Sequence, residues 1–77
     1  MASKTPPRVA VPIRERMARN GVRQVDLAEL LGVRQNWVSK RLTGDVPIRF
    51  EDVERIAAAL GTTVSELLGD ELDRQVS

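Results

Sequence analysis

The stretch QVDLAELLGVRQNWVSKRLTG, residues 24–44, decides the fold. Leu27, Leu30 and Leu31 fall at helical spacing with Asp26 and Glu29 on the other face, so residues 24–31 are predicted to form a helix that Gly32 ends. Residues 35 to about 43 repeat the arrangement, with Val38 and Leu42 four apart and Gly44 as the stop. Three residues separate the two segments, a connection short enough to make the helices spatial neighbours.

That connection opens the tetrapeptide GVRQ at 32–35, which also occurs at 21–24. Each copy lies between the end of one helix and the start of the next. Gly21 and Gly32 can take the left-handed conformation that closes the preceding helix, and Val22 and Val33 plug the core from the connection. Arg23 and Arg34 then fall where an N-cap belongs. Ser, Thr, Asp or Asn there would stabilise by roughly 1 kcal/mol, because their side chains accept the orphan N–H bonds and Arg cannot. A cation at the positive end of a helix dipole is also unfavourable unless an anion sits there. Phosphate would satisfy both groups, bound by the unpaired N–H groups and by a bidentate guanidinium. The two copies therefore read as helix starts aimed at a nucleic-acid backbone, with Gln24 and Gln35 as first-turn amides. The alternative is a pair of ordinary solvent-exposed turns.

Outward from this stretch, residues 1–8 (MASKTPPR) are predicted to be a mobile arm carrying Lys4 and Arg8. From Pro12 a first helix is indicated by Ile13 and Met17, and Asn20-Gly21 stops it. Beyond Pro47, a fourth helix shows Phe50, Val53, Ile56, Ala57 and Leu60 as its apolar stripe, with Gly61 as the stop. Thr63-Val64-Ser65-Glu66 is a capping box that starts a short fifth helix. No β-branched cluster alternates long enough to predict a strand. The fold class is all-α: an arm over 1–8, one domain over 9–69 and an acidic tail over 70–77.

Composition limits the chemistry. Cys, His and Tyr are absent, which removes thiol nucleophiles, imidazole acid–base groups and the usual zinc ligands, so neither an enzyme nor a metal or other cofactor is expected. The first residues lack an apolar signal core and no apolar run approaches the roughly 20 residues that span a bilayer, which makes the cytoplasm the default location. The net charge of +1 hides a division at Gly44: residues 1–44 carry nine Lys/Arg against three Asp/Glu (+6), residues 45–77 three against eight (−5). Such asymmetry suits a first half that faces a polyanion, although segregation of solvated charges by chance gives the same count.

Gln24, Leu27-Ala28, Leu31-Gly32-Val33, Val38, Gly44, Pro47, the helix ending IAAALG at 56–61 and the following TTVSELL together resemble the DNA-binding domain of the phage Cro and repressor family, the XRE-type helix-turn-helix. The resemblance covers residues 12–68 and implies a compact five-helix lambda-repressor-like domain. In that reading Ala28 is small because the motif helices cross closely, and Leu27, Leu31, Val33 and Val38 form the seam between them. Departures from the family pattern are Arg23 and Arg34, where Ser or Thr caps are usual, and Arg41, where an apolar residue is usual and Leu42 is expected to take over the packing.

The resemblance places the second motif helix in the major groove. Gln35 and Asn36 are the leading base readers, since an amide pairs bidentately with adenine, and Ser39 and Lys40 lie one turn further on. Arg23, Gln24, Arg34, Trp37, Arg41 and Arg49, with Lys4 and Arg8 of the arm, are assigned to DNA backbone. Trp37 is expected either at the groove edge against sugar and thymine methyl or packed on Leu42, Arg41 and the first motif helix. The implied partner is a double-stranded operator, an inverted repeat read by a weak homodimer whose seam would use Leu68, Leu72 and Val76. Neither a membrane nor a small-molecule ligand is expected. The function implied is a sequence-specific transcription regulator, a Cro-like phage or prophage repressor in the bacterial host cytoplasm. The alternative is a helix-turn-helix interaction module, such as an antitoxin or an excision or recombination factor.

Overall fold

The computed structural model describes residues 5–69. Four helices run in order, α1 (Ala10–Asn20), α2 (Gln24–Leu31), α3 (Gln35–Thr43) and α4 (Phe50–Ala59). A short α5 covers residues 64–69, and no strand occurs among the described residues. The motif helices have the predicted limits. Helix α1 begins two residues before Pro12, whose lack of an N–H is harmless in a first turn, and the N–H of Ala10 bonds the carbonyl of Pro7 at 2.9 Å.

Each helix contributes one stripe to a single core. Ile13, Leu27, Val38, Leu42 and Ile56 are the largest fully buried side chains, with Met17, Ala28, Val53, Ala57, Leu60 and Leu67 around them. Val22, Leu31, Val33, Ile48, Val64 and Leu68 pack on this core half-buried. The burial of Leu42 shows that it does take the packing position beside Arg41. Full burial of a Leu, Ile or Val contributes roughly 1.5–3 kcal/mol, so this small cluster supplies the main driving force.

Two expected core residues lie outside it. Leu30 is 59% exposed and Phe50 64%. On α2 the buried stripe is centred on Leu27, Ala28 and Leu31, and at 100° per residue Leu30 lies about 100° from that centre. Phe50 is the first residue of α4, a turn ahead of the packed positions Val53, Ile56 and Ala57.

The two GVRQ copies build the same backbone. Gly21 (φ 67°, ψ 31°) and Gly32 (φ 70°, ψ 32°) are left-handed C-caps. Val22 donates to the carbonyl of Met17 at 2.8 Å and Val33 to that of Ala28 at 3.0 Å, while Gly21 and Gly32 donate to Ala18 and Glu29, both at 3.2 Å. These paired bonds are the Schellman closure. Gly44 (φ 92°) ends α3 and is needed for a second reason: a Cβ there would collide with the backbone carbonyl of Thr5. Residues 5 and 6, expected in a mobile arm, thus lie against the end of α3. The Asn20 amide holds the far ends of α1 and α4 together, donating to the carbonyl of Leu60 at 2.9 Å.

Only one arm of the expected capping box of α5 forms as predicted. The N–H of Glu66 donates to Thr63 Oγ1 at 3.1 Å, but the Glu66 carboxylate accepts from the Thr62 hydroxyl at 2.9 Å.

Candidate nucleic-acid interface

Arg23 and Arg34 are the N-caps of α2 and α3, both extended (φ −86°, ψ 168° and φ −81°, ψ 152°), and neither side chain accepts a capping bond. Their surroundings differ because the third helical residue differs. Behind Arg23 stands Asp26, whose carboxylate accepts the Arg23 backbone N–H at 2.9 Å, its Nε at 3.0 Å and its Nη2 at 3.1 Å. The carboxylate therefore supplies the reciprocal half of a capping box and neutralises the guanidinium. The hydrogen bond from Arg23 holds the Asp26 carboxyl below the usual carboxylate range, and the same bond raises the guanidinium. Arg49, the N-cap of α4, has the equivalent bond from its backbone N–H to Asp52 Oδ2 at 3.0 Å. The repeated spacing of an Asp three residues after Arg was the signal in the sequence that the cap reading passed over.

Behind Arg34 stands Trp37, which offers no carboxylate. Among the described residues the Arg34 side chain has neither ion pair nor hydrogen bond, its carbonyl accepting the Trp37 N–H at 2.9 Å, and Arg34, Gln35 and Asn36 are all exposed. Lys40 is exposed one turn on, and Ser39 between them is half-buried. The opposite side of the same helix carries Val38, 1% exposed, and Leu42, fully buried. The apolar stripe of α3 is thus fixed in the core, while Asn36 and Lys40 on the far side, with Arg34 and Gln35 at the helix start, are open to solvent.

The remaining assigned residues fall into three groups. Gln24, half-buried, opens α2, while Arg8 and Arg49 are exposed. Arg41 and Trp37 are engaged within the protein. The Arg41 guanidinium lies 4.0 Å from the Trp37 ring centroid, donates to the Trp37 carbonyl at 3.2 Å and to Asp52 Oδ2 of α4 at 3.4 Å, and its side chain is only 19% exposed. Trp37 packs on the core half-buried. Lys4, Leu72 and Val76 lie outside the described residues, and Leu68 is half-buried against the core. Among the described residues no cluster of His, Cys, Asp or Glu could hold a metal ion, and no helix is long and apolar enough to cross a membrane.

Two short helices joined by a three-residue turn, the second anchored by one face and open on the other, define a helix-turn-helix protein. The helix-turn-helix domain family matches residues 8–69, and the chain belongs to that family. Comparison with curated proteins finds no match. Among solved structures, the chain is similar to the clp gene regulator ClgR from C. glutamicum, at TM-score 0.74 and 24% identity over 86% of each chain. It is also similar to the hypothetical transcription factor NHTF from Neisseria, at TM-score 0.72 and 24% identity over 95% of each chain. At such identity the likeness is one of fold.

Proposed function

We propose that the protein is a sequence-specific, double-stranded DNA-binding transcription regulator that lays α3 in the major groove. The observation that carries this reading is the open start of α3, where Arg34, Gln35 and Asn36 stand exposed in the first turn of a helix whose apolar stripe is buried. Gln35 and Asn36, with Ser39 and Lys40, read base edges, and Arg34 with the unpaired N–H groups of the first turn holds phosphate. Gln24, Arg49, Arg8 and Lys4 add backbone contacts, and the basic first half of the chain supplies the long-range attraction. Arg23 contributes less than Arg34, since Asp26 already neutralises it.

A single such helix reads a few base pairs, so the operator is an inverted repeat bound by two copies, with Leu68, Leu72 and Val76 as seam. The resemblance to Cro-type repressors supports a phage or prophage repressor that acts by occupying a promoter. Selection of bound duplexes from a random pool tests the reading: an enriched inverted repeat is expected, and the absence of any enriched sequence removes it.

A second reading, a module that grips another protein as an antitoxin or recombination factor does, is favoured by the exposure of Leu30 and Phe50. It gains if the selection yields nothing and binding to DNA is insensitive to salt.

A further inference from the structure

Trp37, Arg41, Asp52 and Arg55 join three helices at the back of α3. Trp37 lies in the first turn of α3, and the Arg41 guanidinium from the next turn covers its ring at 4.0 Å. Arg55 of α4 approaches the same ring at 5.6 Å and donates through Nη2 to the carbonyl of Leu31, the last residue of α2, at 3.1 Å. Asp52 completes the connection: one carboxylate oxygen accepts both the N-cap N–H of Arg49 at 3.0 Å and Arg41 Nε at 3.4 Å. The Arg41 and Asp52 side chains are 19% and 14% exposed, so water screens this pair far less than it screens Arg23 and Asp26, at 78% and 35%. Buried Val38 and Leu42 fix the depth of α3. A two-residue apolar stripe leaves rotation about the helix axis weakly constrained, and the guanidinium bridging Trp37 to α4 constrains it.

We propose that Trp37, Arg41 and Asp52 are positioning residues that set the rotation of α3, and with it which base edges Gln35 and Asn36 reach. Neither Trp37 nor Arg41 then serves as a DNA ligand. This inference rests on the DNA-binding reading of α3, and it differs in sign from a phosphate role for Arg41. Loss of Asp52 would release Arg41 toward phosphate and tighten binding to every sequence if Arg41 were a ligand. It would loosen α3 and weaken the cognate site alone if Arg41 is a positioning residue.

The test uses the full chain with Asp52→Asn and Arg41→Met, at a temperature where circular dichroism shows each variant folded. Because Trp37 is the single Trp, its emission reports the network directly. In the free protein Asp52→Asn is expected to shift that emission, while Asp26→Asn, which removes the equivalent carboxylate from α2, leaves it unchanged. On DNA, Asp52→Asn is expected to lose about tenfold on the selected duplex, with affinity for a scrambled duplex and the salt slope retained. Arg41→Met should act in the same way, so the conclusion survives if Asp52→Asn does not fold. The proposal is overturned if Asp52→Asn binds both duplexes equally or more tightly, or if Arg41→Met flattens the salt slope by about one unit on both. An unchanged Trp37 emission in Asp52→Asn also overturns it, and that arm needs no DNA. Failure of the wild-type protein to select any sequence would instead remove the regulator reading, which keeps the two failures distinct.

Discussion

At the start of α2, Arg23 turns back on its own helix and three of its N–H groups reach the carboxylate of Asp26. At the start of α3, the same tetrapeptide makes the same glycine closure and the same extended cap, yet Arg34 meets no acid among the described residues. The backbone is equal and the charge state is not. The same tetrapeptide therefore builds the turn twice, and the residue two places beyond each copy decides whether the arginine side chain is paired. Asp26 makes the first a closed cap that stabilises the domain. Its counterpart Trp37 leaves the second open to an external anion.

The comparison breaks most readily at the amides. Gln35→Ala is expected to weaken binding to the selected duplex by about 1–3 kcal/mol and to relax its sequence preference. Gln24→Ala, half-buried at the closed start, should weaken all duplexes slightly and leave preference alone. A parallel selection with both variants measures the difference. Equal loss of preference in the two would show that the starts are functionally equivalent and sink the distinction.

The glycines should behave alike. Gly21→Ala and Gly32→Ala each force a Cβ into a left-handed conformation with nothing else within 4 Å of it, so each should destabilise by about 1–2 kcal/mol, read from urea unfolding. Gly44→Ala serves as the sharpening control, because its Cβ also meets the Thr5 carbonyl and its loss should be larger than either. Unequal effects at Gly21 and Gly32 would mean that the two turns are not the same device.

The limits of α2 and α3 and most of the core were legible in the sequence, since glycine stops and a period near 3.6 residues are local signals. The exceptions have geometric causes. Leu30 matched the helical spacing from Leu27, but three residues is 300° and the true stripe drifts the other way through Ala28 and Leu31. Phe50 belonged to the α4 pattern but stands ahead of its packing partners. In the candidate site the exposed amides were legible as N-terminal residues of the second motif helix. The partner of Arg41 was not: Asp52 is eleven residues away on another helix, and no periodicity announces an ion pair across a helix crossing. Asp26 was visible at three residues from Arg23 and carried the answer to the missing cap.

Salt sensitivity separates the arginines. Arg34→Ala should lower affinity for every duplex and flatten the plot of log affinity against log salt by about one unit, the signature of one lost phosphate contact. Arg23→Ala should flatten it by less, because its charge is already shared with Asp26. Identical slopes for the two variants, measured by fluorescence titration across salt concentrations, would show that Asp26 does not hold Arg23 back.

The smallest effect lies in the titration of Asp26 itself. Its folded-state value is held below the ordinary carboxylate value by the hydrogen bond from Arg23, then by the Arg23 backbone N–H. A depressed value means that the contribution to stability is present above the unfolded value near 3.9 and is lost as pH falls through the folded one. The pair lies on the surface, so the effect on global stability is minor and the carboxyl resonance is the better observable. In Arg23→Ala the Asp26 carboxyl carbon should titrate at higher pH than in the wild type, by NMR, while Arg34→Ala leaves it unmoved. If Arg34→Ala shifted Asp26 as well, the two helix starts would share one electrostatic field, and the closed start could no longer be treated as independent of the open one.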